Sequence, residues 1–272
     1  MDNIIKDIYE KIDNADAIVI GAGSGLSTAA GLTYSGERFE KIFGAFIEKY
    51  DLTDMYSSGF YPFKTEEERW AYWSKHVFHN RYDVTAGEVY LNLLERIKDK
   101  EYFVLTTNVD HQFWLAGFDD ERVFATQGDY GKIQCAKPCH QKIYDNEEMI
   151  RKMVQVEKEC KVPSDLIPKC PVCGGPMDMH LRKDDTFVED EAWHEAHKRY
   201  QTFIKTHHQK EIVFLELGVG MNTPVIIKYP FWRLTDQLEH GSYICINQGA
   251  ARGPEQIADK AIYYNGDIGD VF

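Results

Sequence analysis

An apolar run, Ala17-Ile18-Val19-Ile20, passes directly into Gly21, Gly23 and Gly25 and then into a helix start over residues 26–30. A short continuous apolar run suits a strand buried on both faces of a parallel sheet. Glycines at its end let backbone approach a pyrophosphate without a Cβ clash, and the helix that follows presents free N–H groups to phosphate. Strand, glycine turn and helix together open a dinucleotide-binding α/β fold. The spacing departs from G-x-G-x-x-G, because position 26 is leucine. The same residues therefore also suit a tight strand–helix turn without ligand.

Three later runs repeat the pattern. Tyr102-Phe103-Val104-Leu105 ends in Thr106-Thr107-Asn108-Val109-Asp110. Ile212-Val213-Phe214-Leu215 ends in Glu216-Leu217-Gly218-Val219-Gly220, and Tyr243-Ile244-Cys245-Ile246 ends in Asn247-Gln248-Gly249. Small polar residues after the C-terminal ends of parallel strands mark the ligand side of an open α/β sheet. An asparagine at position 108 can hydrogen-bond a ribose or a carboxamide, and an aspartate at 110 can accept from an amide. The expected fold class is α/β, a Rossmann-type doubly wound parallel sheet assembled from residues 1–36, 81–131 and 181–272. Ile5, Ile8, Tyr9 and Ile12 make a helical stripe, and residues 88–98 read as another helix. Residues 37–80 are rich in aromatics at helical spacing and predict an inserted helical subdomain or lid. Such stripes read as core, given the area aromatics bury.

Residues 132–180 predict a small metal-binding module. Cys135 and Cys139 form one close pair, Cys170 and Cys173 another, with Pro138, Pro171, Gly174 and Gly175 beside them. Two such pairs suit one tetrahedral ion, and four thiolates leave no open position for water, so the expectation is one structural Zn2+. Cys160 and Cys245 stand alone and read as ordinary buried thiols. His194 and His197 share a helix face without acid or thiol partners nearby and read as surface or core residues. The cleft between the two insertions is the expected dinucleotide site, since ligand sites favour such junctions.

Charge narrows the partners. The formal net charge is −13, which argues against general nucleic-acid binding, where Lys and Arg must neutralise phosphates. No apolar run is long enough to span a membrane. The N-terminus is acidic and lacks the basic and apolar regions of a secretory signal, so the expected location is cytoplasmic.

These pieces, in this order, resemble the sirtuins, from about residue 15 to the end. Residues 23–32 resemble the family's glycine motif GAGIS-x-x-SGIPDFR, residues 106–110 its TQNID, and residues 218–221 its GTSL phosphate turn. Gln127-Gly128 stands at the catalytic His-Gly pair, and Cys135, Cys139, Cys170 and Cys173 stand at the zinc ligands. Ile246-Asn247 matches the late Ile-Asn, and Ala258-Asp259 with residues 265–271 resembles the family's ending. The resemblance implies NAD as co-substrate. It implies contacts from Gly23, Ser24, Gly25, Ser27, Thr28, Tyr34, Arg38, Thr107, Gly218, Val219, Gly220, Asn222, Asn247 and Ile268, with Asn108, Asp110 and Gln127 catalytic.

The departures are specific. Pro-Asp-Phe-Arg becomes Thr33-Tyr34-Ser35-Gly36, with Arg38 nearby, and the glutamine of TQNID becomes Thr107. The acyl-lysine-binding Phe-Gly-Glu becomes Phe187-Val188-Glu189, and the histidine becomes Gln127. Residues 34–39, 106–110 and 126–131 resemble the macrodomain-linked microbial sirtuins, the class M group. That resemblance implies an NAD-dependent protein mono-ADP-ribosyltransferase. Its acceptor would be a lipoylated carrier protein related to the glycine-cleavage carrier. A macrodomain would remove the mark, and the system would be linked to oxidative stress.

Chemistry agrees with the substitution. General-base help is worth roughly 10²–10⁴-fold, and a carboxamide cannot accept a proton near neutral pH. Deacylation needs that base after the nicotinamide–ribose bond has broken, whereas transfer of ADP-ribose does not. Three alternatives stay open on sequence: a deacylase with His111 replacing the lost histidine, an NAD glycohydrolase with water as acceptor, and a non-catalytic NAD or ADP-ribose sensor.

Overall fold

The computed structural model describes residues 3–221 and 224–272. The strands are β1 (Ala17–Ala22), β2 (Glu101–Thr106), β3 (Val123–Ala125), β4 (Gly128–Cys135), β5 (Ile143–Asp145), β6 (Met177–Leu181), β7 (Ile212–Leu217), β8 (Gly241–Ile246) and β9 (Ala261–Tyr264). The helices are α1 (Asn3–Asn14), α2 (Ser24–Ala29), α3 (Glu37–Tyr50), α4 (Met55–Ser58), α5 (Glu66–Val77), α6 (Glu88–Ile97), α7 (Gln112–Leu115), α8 (Glu147–Val156), α9 (Glu191–His207) and α10 (Lys228–Gln237). The chain divides into two compact units.

The first unit comprises the stretch ending at Gly31, then Ala86–Gln127 and Glu191–Phe272. Its sheet has six strands in the order β3-β2-β1-β7-β8-β9, and every pairing is parallel. The order reverses at β1, whose neighbours are β2 and β7. That reversal is the topological switch point where open α/β sheets bind ligands. Alternate residues face opposite cores. Ile18, Ile20, Val104 and Leu215 pack with Ile8 and Ile12 of α1 and Leu93 and Ile97 of α6. Val19, Phe103, Phe214 and Tyr243 pack toward Phe231 of α10 and Ala196 of α9. Helices on both faces explain why these strands read as unbroken apolar runs.

Register sets the working edge. Ala22 lies opposite Thr106 and Leu217, Thr106 opposite Ala125, and Leu217 opposite Ile246. The strands therefore end level, and the polar residues that follow each of them emerge side by side. Helix α2 begins at Ser24, earlier than the apolar pattern suggested, because Gly23 already holds extended cap geometry (φ −117°, ψ −176°).

The second unit comprises Leu32–Thr85 and Gly128–Asp190. Its three-stranded antiparallel sheet has the order β5-β4-β6. Helices α3 and α5 bury an aromatic core of Phe39, Phe43, Phe46, Trp70 and Tyr72, with the Phe43 and Tyr72 rings 5.1 Å apart. These members of the aromatic stripe are core, as their spacing predicts, whereas Tyr56 and Phe60 are exposed. Thr65 caps α5 by accepting from the Glu68 amide, and acidic residues fill the helix's first turn. Among the described residues, no helix is long and apolar enough to cross a membrane.

Phe231 is fully buried and packs 5.2 Å from the Phe214 ring, holding α10 to the sheet. Phe231→Ala is expected to cost about 3–5 kcal/mol. Chemical denaturation followed by circular dichroism checks this, and an unchanged midpoint would contradict the packing.

Candidate functional site

Three loops meet at the level strand ends of the first unit. The Gly23 amide donates to Leu217 O at 3.0 Å, and the Gly25 amide to Gly218 O at 3.0 Å. Gly218 has φ +60°, and a Cβ there would lie 2.5 Å from the Gly25 Cα. Only glycine allows this backbone-to-backbone approach. The turn after β1 and the turn after β7 therefore interlock. Gly220 is exposed at the tip, while Val219 is buried and its carbonyl accepts from Asn247 Nδ2 at 3.0 Å. Asn222 lies outside the described residues.

Asn108 and Asp110 follow β2 and are both buried. The Asn108 amide nitrogen donates to Gly23 O at 2.9 Å and to the Tyr90 hydroxyl at 3.4 Å. Its backbone N–H donates to Thr106 Oγ1 at 3.0 Å. The nitrogen end of the side chain is thus committed to the glycine turn, and the oxygen end Oδ1 accepts from no described residue. Asp110 accepts from the Ser27 hydroxyl and, at 3.1 Å, from the Gln112 backbone N–H at the start of α7. Ser27 is itself buried and lies 3.3 Å from the Tyr90 hydroxyl. Tyr90 of α6, which gave no distinct signal in the sequence, reaches both Ser27 and Asn108 through its hydroxyl. Its only sequence signal is an aromatic on the buried stripe of that helix.

The other expected residues divide clearly. The Thr107 amide donates to Ala22 O at 3.0 Å, fastening β2 to β1. Thr28 is exposed, and its hydroxyl donates to Ser24 O at 3.1 Å. Ser24 is exposed at the first position of α2. Ile268 is buried in the same core cluster as Leu26. Gln127 is half-buried, one residue beyond Thr126, whose amide and hydroxyl both donate to Thr106 O. The Gln127 side chain has no hydrogen-bond partner among the described residues. His111 adopts φ +68° and stacks on Trp114 at 4.6 Å. His197 stacks on Phe124 at 5.7 Å, which places it against the core.

Tyr34 and Arg38 belong to the second unit. The Tyr34 and Tyr130 hydroxyls lie 2.6 Å apart. From the first turn of α3, Arg38 donates to Thr33 O and Asn80 Oδ1, each at 3.0 Å, and to His79 O at 2.6 Å, so it fastens the preceding loop to the turn Phe78–Tyr82. Burial lowers its pKa from the ordinary value. His76 is buried between Tyr72 and Tyr130. The Tyr72 hydroxyl gives its proton to Met55 O at 2.6 Å, so His76 Nδ1 carries the proton it directs to Tyr72 at 3.2 Å. His76 Nε2 is then a buried lone pair with no partner among the described residues. Burial, with the nearby Arg38 charge, pulls the His76 pKa down to about 3.

Also in the second unit, the thiols of Cys135, Cys139, Cys170 and Cys173 lie within 4.8 Å of one another. Cys135 and Cys173 are 3.7 Å apart, and Cys139 and Cys170 are 3.6 Å apart. A tetrahedral ion with Zn–S bonds of about 2.3 Å sets sulfurs about 3.8 Å apart, so the donor set fits zinc. Gly174 (φ +69°) closes one knuckle, its amide donating to Cys170 O at 2.8 Å. Cys160 and Cys245 are buried elsewhere and do not join the cluster.

No family model matches the sequence. A protein ADP-ribosyltransferase of Staphylococcus aureus is 40% identical over 258 residues, covering 94% of this chain and 82% of that protein. A probable bifunctional ADP-ribose hydrolase/ADP-ribosyltransferase of Fusarium oxysporum is 31% identical over 81% of this chain, which spans 38% of that longer protein. Among solved structures, a Sir2 enzyme superposes with a TM-score of 0.62 at 17% identity, covering 100% of this chain and 95% of that one.

Two outcomes are expected. Metal analysis of the native chain should find about one zinc ion per chain, and Cys170→Ser should lose most of it and melt at a lower temperature. His76 binds a proton in the unfolded chain below about pH 6.5 but resists it when folded, so its burial favours the fold above that pH and opposes it as pH falls toward 3. Between pH 7.5 and 5.5, wild type should lose roughly 1 kcal/mol more stability than His76→Gln. Denaturation at the two pH values reads this directly, and parallel losses would contradict it.

Proposed function

The chain belongs to the sirtuin-fold protein ADP-ribosyltransferases, and from that premise we propose that it transfers ADP-ribose from NAD to a protein side chain and releases nicotinamide. The observation that carries this reading is Gln127. It stands at the histidine position of the sirtuin motif, it is half-buried, and no described neighbour holds its side chain. A carboxamide can orient a hydroxyl but cannot take its proton.

The remaining groups suit the bond-breaking step. When the nicotinamide–ribose bond breaks, its electron pair neutralises the pyridinium, so the leaving group needs no general acid. The acceptor's lone pair then bonds to the ribose carbon, and any acceptor proton passes to solvent. Asp110, steadied by Ser27 and the Gln112 N–H, receives the nicotinamide amide in this reading. Asn108 keeps Oδ1 for a ribose hydroxyl because its nitrogen is bound to Gly23 O. The interlocked turns at Gly23–Gly25 and Gly218–Gly220, with Ser24, Thr28 and Asn247, take the phosphates and adenylate side. Tyr34 and Arg38 order the loop that follows α2. The four thiolates hold one zinc ion, which shapes the second unit and supplies no chemistry to the transfer.

For the acceptor, the class carried forward is a lipoylated carrier protein, with a macrodomain hydrolase reversing the mark. The name of the Fusarium relative, which pairs a hydrolase with a transferase, supports that coupling. A cytoplasmic location suits four thiols gathered for a metal rather than for disulfides.

NAD labelled on the adenylate side, incubated with the protein and with lipoylated or unlipoylated carrier proteins, tests the reading. Label should appear on protein, and Asn108→Ala should lower its rate by about 10²-fold or more. Free ADP-ribose without labelled protein would mean a glycohydrolase, and an undiminished Asn108→Ala enzyme would remove Asn108 from the reaction.

A further inference from the structure

A buried charged network lies beside the second glycine turn, and the transfer reaction does not use it. Glu216, two residues before Gly218, is fully buried on β7. Its Oε1 accepts from Lys228 Nζ at the start of α10 and from Cys245 Sγ at 3.3 Å. Its Oε2 accepts from the Tyr243 hydroxyl at 2.6 Å. Lys228 is itself buried, with its ammonium 5.8 Å over the Trp232 ring. Every other residue of β7 is apolar, and Phe214, Phe231, Tyr243 and Ile227 belong to the core cluster on this side of the sheet.

Stability alone does not call for an ion pair here. Taking two charges out of water is costly, and replacing such a pair by apolar groups is often neutral or stabilising. What the pair does supply is geometry. Glu216 and Lys228 stand on either side of the loop that carries Gly218–Gly220, twelve residues apart. The pair ties the β7 end of that loop to its α10 end, and Tyr243 and Cys245 tie Glu216 to β8, while Gly220, Met221 and Val225 are exposed. Asn247 Nδ2 adds a third tie, at Val219 O.

We propose that Glu216 and Lys228 are positioning residues that hold the Gly218–Gly220 turn in the conformation that receives the dinucleotide. They act on NAD affinity through the backbone of the turn and not on the bond-breaking step. This rests on the reading of that turn as an NAD contact.

The test compares wild type with the double variant Glu216→Gln/Lys228→Met, which removes both charges and keeps similar volumes. Calorimetric titration with NAD gives Kd, and initial rates of transfer give KM and kcat. The double variant should fold and keep its zinc. Its Kd and KM for NAD should rise about tenfold, while kcat at saturating NAD stays within about threefold. Tyr243→Phe, which removes one donor to Oε2 and keeps the ring, should raise Kd by about threefold, and it carries the test if the double variant does not fold. Equal NAD affinity in wild type and folded variants overturns this inference and leaves the function reading intact. Failure of wild type to bind NAD overturns both. A fall in kcat without a change in Kd would also overturn it.

Discussion

The close approach of Gly23 and Gly25 to Gly218 is the constraint on which the first unit's site depends. Two loops from neighbouring strands meet backbone to backbone, and any Cβ at Gly218 would strike Gly25. That contact exists because β1 and β7 are paired in parallel register and end at the same level. Level ends in turn bring Thr106 and the residues after β2 alongside, so Asn108 can reach Gly23 O. One hydrogen bond from a side-chain amide therefore reports the alignment of two strands and a turn.

Around this contact the polar groups are graded by burial. Ser27, Tyr90, Asn108 and Asp110 are buried and hold one another. Gln127 and Thr107 are half-buried, and Gly220, Ser24 and Thr28 are exposed. Fixed inner donors and acceptors with more exposed outer ones suit the proposed binding of a charged dinucleotide, because preorganised dipoles need not rearrange during reaction. The second unit is built on different physics. It relies on an aromatic core between α3 and α5 and on four clustered thiols.

Much of this was legible from residues alone. The four apolar runs are β1, β2, β7 and β8, because strands covered on both faces have no polar face to interrupt them. The four cysteines were legible because metal ligation demands close pairs. Arg38 was only partly legible. Its position in the resembling motif is clear, but its guanidinium is held by Thr33, His79 and Asn80, and the latter two are remote in sequence. Tyr90 and Lys228 gave no distinct signal, since an aromatic or a lysine at a helical position is ordinary. Glu216 reads in the sequence as a residue after the apolar run, yet it lies inside β7 and is buried there because its partners come from α10 and β8.

The amino-acid sequence by itself determined the four apolar strands β1, β2, β7 and β8, the glycine turns that follow β1 and β7, and the two close cysteine pairs. Each depends on local composition and short spacing, which the chain carries wherever it folds. Tertiary structure alone decided how the polar atoms are used: which end of Asn108 is committed, what steadies Asp110, and why a carboxylate can be buried at Glu216. Hydrogen bonds join atoms within about 3 Å, and residues far apart in the chain come that close only after the sheet has set its order and register.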